Sequence, residues 1–416
     1  MKTTNVNRWK KLLLFLIALI LLSQIPFAYR RYELGRLHAA IQQLNSERVA
    51  TLEHPDLAEF KGVVHVHSFL GGHSTGNFAD IISAAQANQL NFVIMTEHPA
   101  QNFNTAEMTL TGDHGGVLFI NGNEVKTATG DRLLLIPGDD QAGSDSQRST
   151  PEVLSRRASG LQLVAYPEEF KSWETTGYEG IEVYNVYTNA QQINPLVMFF
   201  DAVWSYRSYP DLLFANFYRS PTESLKKWDE LINRKGQRLV ATAGNDAHAN
   251  VGTSLNDSSG KTWVGFKLDP YERSFRLVRL HVLARDRARF IGDVSSARLD
   301  EKILLDAISA GHCFIGFDLF GDTTGFRFTA HDGDKNKIMG DEIKLADQLT
   351  LNVTVPVSAR ILLLKDGLQI HEVDGVNRME FATREKGSYR VEVYLPQLSK
   401  PAGEQPWIIS NPIYVR

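Results

Sequence analysis

The feature that most constrains the fold is a pattern repeated from residue 62 onward: a short apolar run, then a side chain able to ligate a cation. "VVHVH" reads as a strand ending in His65 and His67, and "NFVIMTEHP" as one ending in Glu97 and His98. "LFINGNEVKT" leads to Glu124, and "LVATAGNDAH" leads to Asp246 and His248. Between them "FADIISAAQANQL" and "ESLKKWDELINRKG" carry helical spacing, while "RLLLI", "LQLVA" and "GIEVY" are further apolar runs. Buried strands recurring between helices predict an α/β fold with a parallel sheet, doubly wound or closed into a barrel. Both arrangements place their chemistry at the strand ends.

The pattern does not run to the end of the chain. After the helix "LDEKILLDAISAG", where Gly311 is suited to the C-cap, the period shortens to two. "TLNVTVPV" and "YRVEVYL" alternate apolar with polar residues, and "LLLKDGLQI" holds an Asp366-Gly367 hairpin signal. This predicts an all-β unit over 323–416, most simply an immunoglobulin-like sandwich. The aromatic stretch 186–236 is interrupted by Asp201, Arg207 and Pro210, so it reads as amphipathic helices and not as a membrane span.

The N-terminus departs from this pattern. Leu12 to Leu22 is unbroken apolar sequence, with Arg8, Lys10 and Lys11 before it and Arg30 and Arg31 after it. Extended to Tyr29, the run reaches the ~17–25 residues that cross a bilayer, and no small-residue cleavage site follows. The expectation is an uncleaved signal anchor over 1–31, then a polar stalk over 32–60 and the α/β unit, doubly wound or a barrel, over 61–322. The basic flanks lean toward a cytoplasmic N-terminus, with the bulk of the chain extracytoplasmic.

Composition narrows the chemistry. The chain has 44 Lys and Arg against 48 Asp and Glu and no basic block, which argues against nucleic acid as a partner. The same balance does not exclude a small phosphorylated substrate, because a metal site would supply positive charge locally. Cys313 is the single cysteine, so there is no intrachain disulfide and no thiolate metal site. Any metal is held by His, Asp and Glu.

Side chains two apart on a strand share a face, so His65 and His67 point the same way, and His73 follows in the glycine-flanked loop "GGHSTG". Each candidate has an ordinary reading: His98 as a cap before Pro99, Glu124 as a solvated turn carboxylate, Asp246 as a helix N-cap. Four segments that share one design make coincidence a poor account of them. Imidazole and carboxylate donors suit zinc, manganese or iron. Two such cations ~3.5–4 Å apart can clamp the attacking and leaving oxygens of a displacement at phosphorus, with a metal-activated water as nucleophile. Lys126 and Arg132, just after Glu124, are available to meet a phosphate or to sit as solvated surface charges.

In order, "HVHSFLGGHSTG", "MTEHP", "NGNEVKT", "GIEVYN" and "GNDAH" resemble the motifs of the polymerase and histidinol phosphatase (PHP) family of metal-dependent phosphoesterases, over roughly residues 60–250. The resemblance implies a distorted (β/α)7 TIM-like barrel with up to three metals. It implies one metal on His65, His67, Glu124 and Asp246, and another on His73, His98 and His248. There are two departures. Tyr166 in "LVAYP" stands where the family has a histidine, and no histidine occurs between His114 and His248. The expectation is therefore two divalent metals, or a weakly held third. Glu97 replaces the family's usual aspartate and is expected outside the ligand set.

The function this implies is hydrolysis of a phosphomonoester or phosphodiester. An amidohydrolase-type barrel is a rival that lacks its mid-chain histidines here. The non-catalytic alternative, motivated by Tyr166 and the anchor, is a degenerate barrel acting as a membrane-anchored binding protein.

Overall fold

The computed structural model describes residues 3–49, 57–157, 159–191, 193–256, 262–285, 299–333, 335–346 and 349–416. One continuous helix, Thr3–Ser46, opens the chain. Its apolar window has a mean hydropathy of 2.3, lies wholly outside the packed body, and is long enough to cross a membrane. The part expected to be a stalk continues the same helix, and Leu34, Leu37, Ile41 and Leu44 are buried. Their spacing of three and four residues makes one stripe, which docks this half of the helix on the body.

The first strands are β1 (Leu57–Val66), β2 (Phe92–Met95), β3 (Gly112–His114), β4 (Val117–Ile120), β5 (Asn123–Lys126), β6 (Arg132–Ile136), β7 (Leu161–Ala165), β8 (Gly180–Asn185) and β9 (Val240–Gly244). The hairpin β10 (Gly252–Asn256) and β11 (Thr262–Lys267) follows, then β12 (Arg279–Arg285) and β13 (Cys313–Gly316). The last quarter of the chain carries β14 (Arg327–Asp332), β15 (Lys335–Ile338), β16 (Glu342–Ile343), β17 (Leu349–Lys365), β18 (Leu368–Thr383), β19 (Gly387–Tyr394), β20 (Pro406–Ser410) and β21 (Ile413–Val415). The protein is thus mixed α/β.

Among the described residues, β5 to β9 form one sheet in chain order, and β1 to β4 belong to a 14-stranded sheet. Two parallel bridges join the sheets, Val66 with Ala247 and Glu97 with Asn123. The series β9, β1, β2, β5, β6, β7, β8 therefore returns to β9. The parallel expectation holds for β1–β2, β7–β8 and β8–β9, whereas β5–β6 and β6–β7 are antiparallel. A short turn at Thr127–Asp131 joins β5 to β6, and no helix fits in it to reverse the chain.

Helix Phe78–Ala87 shows how the local sequence packs these strands. Asn77 and Asp80 form a reciprocal capping box at its start, and Ile81, Ala84 and Ala85 face the core. In the last quarter of the chain, β17 and β18 meet at the two-residue turn Asp366-Gly367, where φ is +52° and +82°. That geometry is the one the Asp-Gly pair favours. These strands share a sheet with β12 and β1, because β20 pairs with β13.

Candidate metal centre

Two of the expected ligands, and the tyrosine that replaces a family histidine, sit on strained backbone at strand ends. His65, Tyr166 and Asp246 all have positive φ, at 68°, 50° and 46°. For residues other than glycine this costs ~1–3 kcal/mol each, and such strain collects at functional sites. The register of β1 against β2 shifts between Val64 and Val66, so the strand bulges at His65. The bulge and a backbone pair between Ala247 and both His65 and His67 bring the two imidazoles and Asp246 together.

The result is a tight buried cluster. One ligand atom from each of His65, His67, Glu124 and Asp246 lies within 4.8 Å of the others, and His67, His98 and His248 form a second such group. His67 belongs to both, and its ring stacks between His98 and His248 at centroid distances of 4.6 and 4.3 Å. His73 is not in either group. It is exposed, with its ring edge-on to His98 at 5.2 Å.

Partners around the cluster orient it. Nδ1 of His65 lies 2.7 Å from Oε2 of Glu182, and its Nε2 faces Oε2 of Glu124 at 3.2 Å. Glu182 also accepts from Nδ2 of Asn185 at 2.7 Å. Oδ2 of Asp246 accepts from the Tyr166 hydroxyl and from Nδ2 of Asn185. Arg132 donates to Oε1 of Glu124 at 3.0 Å and lies over the Tyr166 ring, while Lys126 is exposed. Glu97 takes no part in the cluster. It accepts from the Ser68 backbone and from the Thr109 hydroxyl, fixing the loop that follows His67.

Electrostatics divides the imidazoles. Burial opposes charge on His65, but Glu182 and then Asp246 override it and hold its pKa well above the ordinary value. Burial lowers His67 to about 3, so that ring is neutral. His98 is also lowered, again chiefly by burial. Burial works against the charge on Glu124, yet the neighbouring imidazoles bring it down to about 2.

Both nitrogens of His67 and Oδ1 of Asp246 are buried without a well-formed hydrogen bond, although Nε2 of His67 lies 3.4 Å from both Oδ1 of Asp246 and Oε2 of Glu124. Unpaired buried polar atoms are costly and rare. A neutral imidazole and an ionised carboxylate with free lone pairs, set beside Glu124 and His65, are the donor set a divalent cation takes. The residues fit such a group.

Sequence reasoning missed Glu182 as the partner of His65. The signal was present: a glutamate inside the apolar strand "GIEVY" has to be paired when it is buried. Gly244 was also missed. A Cβ there would lie 2.0 Å from Oε2 of Glu182, so the glycine makes room for that carboxylate.

No protein-family model matches the chain, and no curated protein matches it. Among solved structures it is similar to a two-domain protein from Bacteroides vulgatus ATCC 8482 described as containing a predicted PHP-like metal-dependent phosphoesterase. That likeness has 13% identity and a TM-score of 0.38, and it covers 88% of this chain and 99% of the other. The chain is also similar to PsfC from Pseudomonas syringae PB-5123, with 16% identity, a TM-score of 0.29, and coverage of 54% and 82%. Both TM-scores are low, so the chemistry rests on the residues of the site.

Proposed function

We propose that this chain is a metal-dependent phosphoesterase of the PHP kind, hydrolysing a phosphomonoester or phosphodiester. The observation that carries the reading is the orphaned pair of buried donors, His67 and Asp246, inside the cluster with His65 and Glu124. We read His65, His67, Glu124 and Asp246 as ligands of one divalent cation, and His98 and His248 as ligands of a second beside it. His73 is exposed next to His98. We read the returning strand series as the barrel and residues 323–416 as its β-rich companion.

When bound, zinc, manganese or iron would supply Lewis acidity and an activated water. The chain's own residues prepare the site for this. Glu182 holds the proton on Nδ1 of His65 and so turns Nε2 toward the cluster. Tyr166 and Asn185 bind one oxygen of Asp246 and leave the other free. Arg132 donates to Glu124 and lies over the Tyr166 ring, so it holds that carboxylate in place, and the phosphate charge would be met by bound cations. The apolar N-terminal helix anchors the chain in a membrane, with the body on the extracytoplasmic side.

Elemental analysis of the purified chain and of Asp246→Ala tests the reading. About two equivalents of zinc, manganese or iron per chain, reduced in the variant, together with turnover of p-nitrophenyl phosphate, is the expected result. A folded chain that takes up no metal would overturn it and favour the binding-protein alternative.

A further inference from the structure

A cavity of about 770 Å³ opens directly beside the candidate metal centre, with Asp246 and His248 in its wall. The rest of its lining is largely apolar and includes Tyr187, Met198, Phe199, Ala202 and Phe214. A phosphoester whose alcohol is a sugar or nucleoside would leave its hydroxyls unpaired against such walls. An aliphatic chain would match them.

The position of the cavity adds a second, independent observation. One wall is the helix Pro195–Ser205, which packs against the N-terminal helix where the apolar run ends. Phe200 meets Phe27 at 5.0 Å, Arg30 pairs with Asp201 at 2.7 Å, and Trp204 donates to Gln24. If Leu12 to Tyr29 crosses the bilayer, at ~1.5 Å per residue, Phe27 and Arg30 lie at its surface. The helix Pro195–Ser205 then lies at the same level. Its Leu196, Phe199 and Val203 are 65%, 60% and 65% exposed, an apolar face that water does not favour. Phe199 and Val203 also line the cavity, so that face and the cavity are continuous.

We infer that the substrate is a membrane-borne phosphorylated amphiphile, its aliphatic tail in this cavity and its phosphate at the metal centre. This rests on the phosphoesterase reading and names the substrate class for the same site. In the monoester case water adds its oxygen to phosphorus, and the bond from phosphorus to the tail oxygen breaks. The tail oxygen takes a proton, so alkyl phosphate and water yield the free alcohol and inorganic phosphate.

The test compares decyl phosphate with butyl phosphate, using the full metal-loaded chain in phosphatidylcholine nanodiscs. Each buried methylene favours binding by up to about fourfold. The bilayer's own uptake of the longer ester cancels when wild type and variants are compared in the same discs. Ala202→Trp fills the cavity, and Phe199→Asp, at an exposed position that tolerates change, places a charge at its mouth. The expected result is that the decyl-to-butyl ratio of kcat/KM falls at least tenfold in each variant. An unchanged ratio in both folded variants, with both esters still hydrolysed, would overturn the tail site and leave the phosphoesterase reading intact. Turnover of neither ester by the wild type would overturn both.

Discussion

Oε2 of Glu182 lies 2.7 Å from Nδ1 of His65, and both side chains are fully buried. One proton shared along that line fixes the tautomer of His65 and aims its Nε2 at Glu124 and Asp246. A carboxylate behind a ligating imidazole typically contributes ~10–100-fold in metal affinity. Glu182→Gln keeps the shape and removes the charge, so it is expected to weaken metal binding by about that factor while the chain stays folded. Competition with a chelating dye measures this. Wild-type affinity in the variant would remove Glu182 from the site.

Gly244 presses the same point from the other side. A Cβ at this position would come within 2.0 Å of Oε2 and 2.4 Å of Cδ of Glu182, whose carboxylate is already held by His65 and Asn185. Gly244→Ala is expected to cost ~1–3 kcal/mol of stability through overpacking. In Glu182→Ala the obstructing group is absent. The double variant should therefore lose clearly less than the sum of the two single losses. Denaturant unfolding of the four proteins gives the cycle, and simple additivity would rule out the proposed clash.

How far the site could be read from sequence follows from the range of its contacts. His65, His67, His98, Glu124, Asp246 and His248 were legible because each ends an apolar run, and strand periodicity places such residues at one rim. The Asp366-Gly367 hairpin was legible for the same local reason. His73 sits in a loop, where no periodicity aims a side chain, and it lies outside the tight cluster. The antiparallel course of β5 to β7 depends on the length of a single turn. Asn411, which ties β9 to β13, joins positions far apart in the chain, and no local pattern marks it.

A buried imidazole outside the candidate metal centre makes stability depend on pH. His281 on β12 has Nδ1 2.8 Å from Glu59 and Nε2 3.3 Å from Asp318, and the Thr323 hydroxyl lies 2.9 Å from the same Nε2. Arg279 and Arg327 complete the charges around it. Burial alone would lower its pKa, but Asp318 and Glu59 override that and raise it to about 9. The unfolded value is ~6.5, so the proton stabilises the fold fully below that pH. The benefit, on the order of 3 kcal/mol, fades as pH rises from ~6.5 toward 9. Denaturant midpoints of the wild type should fall across this window, and His281→Gln should be less stable at pH 6 with a flatter profile. A wild-type profile that does not fall between pH 6.5 and 9 would contradict the assignment.

The C-terminal β-rich part is expected to be part of what folds the site, because many contacts cross residue 322, among them a strand pairing and a buried side chain. β20 pairs with β13 through Phe314–Ser410, Ile315–Ile409 and Gly316–Ile408. The buried Asn411 side chain accepts from the Ala241 amide at 2.8 Å and donates to the carbonyls of Ala241 and Cys313 at 3.1 and 2.9 Å. Ala241 lies on β9, five residues before Asp246. A chain ending at 322 would leave these buried backbone groups unpaired, at ~1–3 kcal/mol each, and would open the edge of β13. Asn411→Ala isolates the first effect and should lower stability by ~2–5 kcal/mol, with metal binding retained well below its melting temperature. The truncated chain should fail to give a cooperative thermal transition. A soluble 1–322 chain that melts cooperatively and binds metal like the full chain would show that the two parts fold separately.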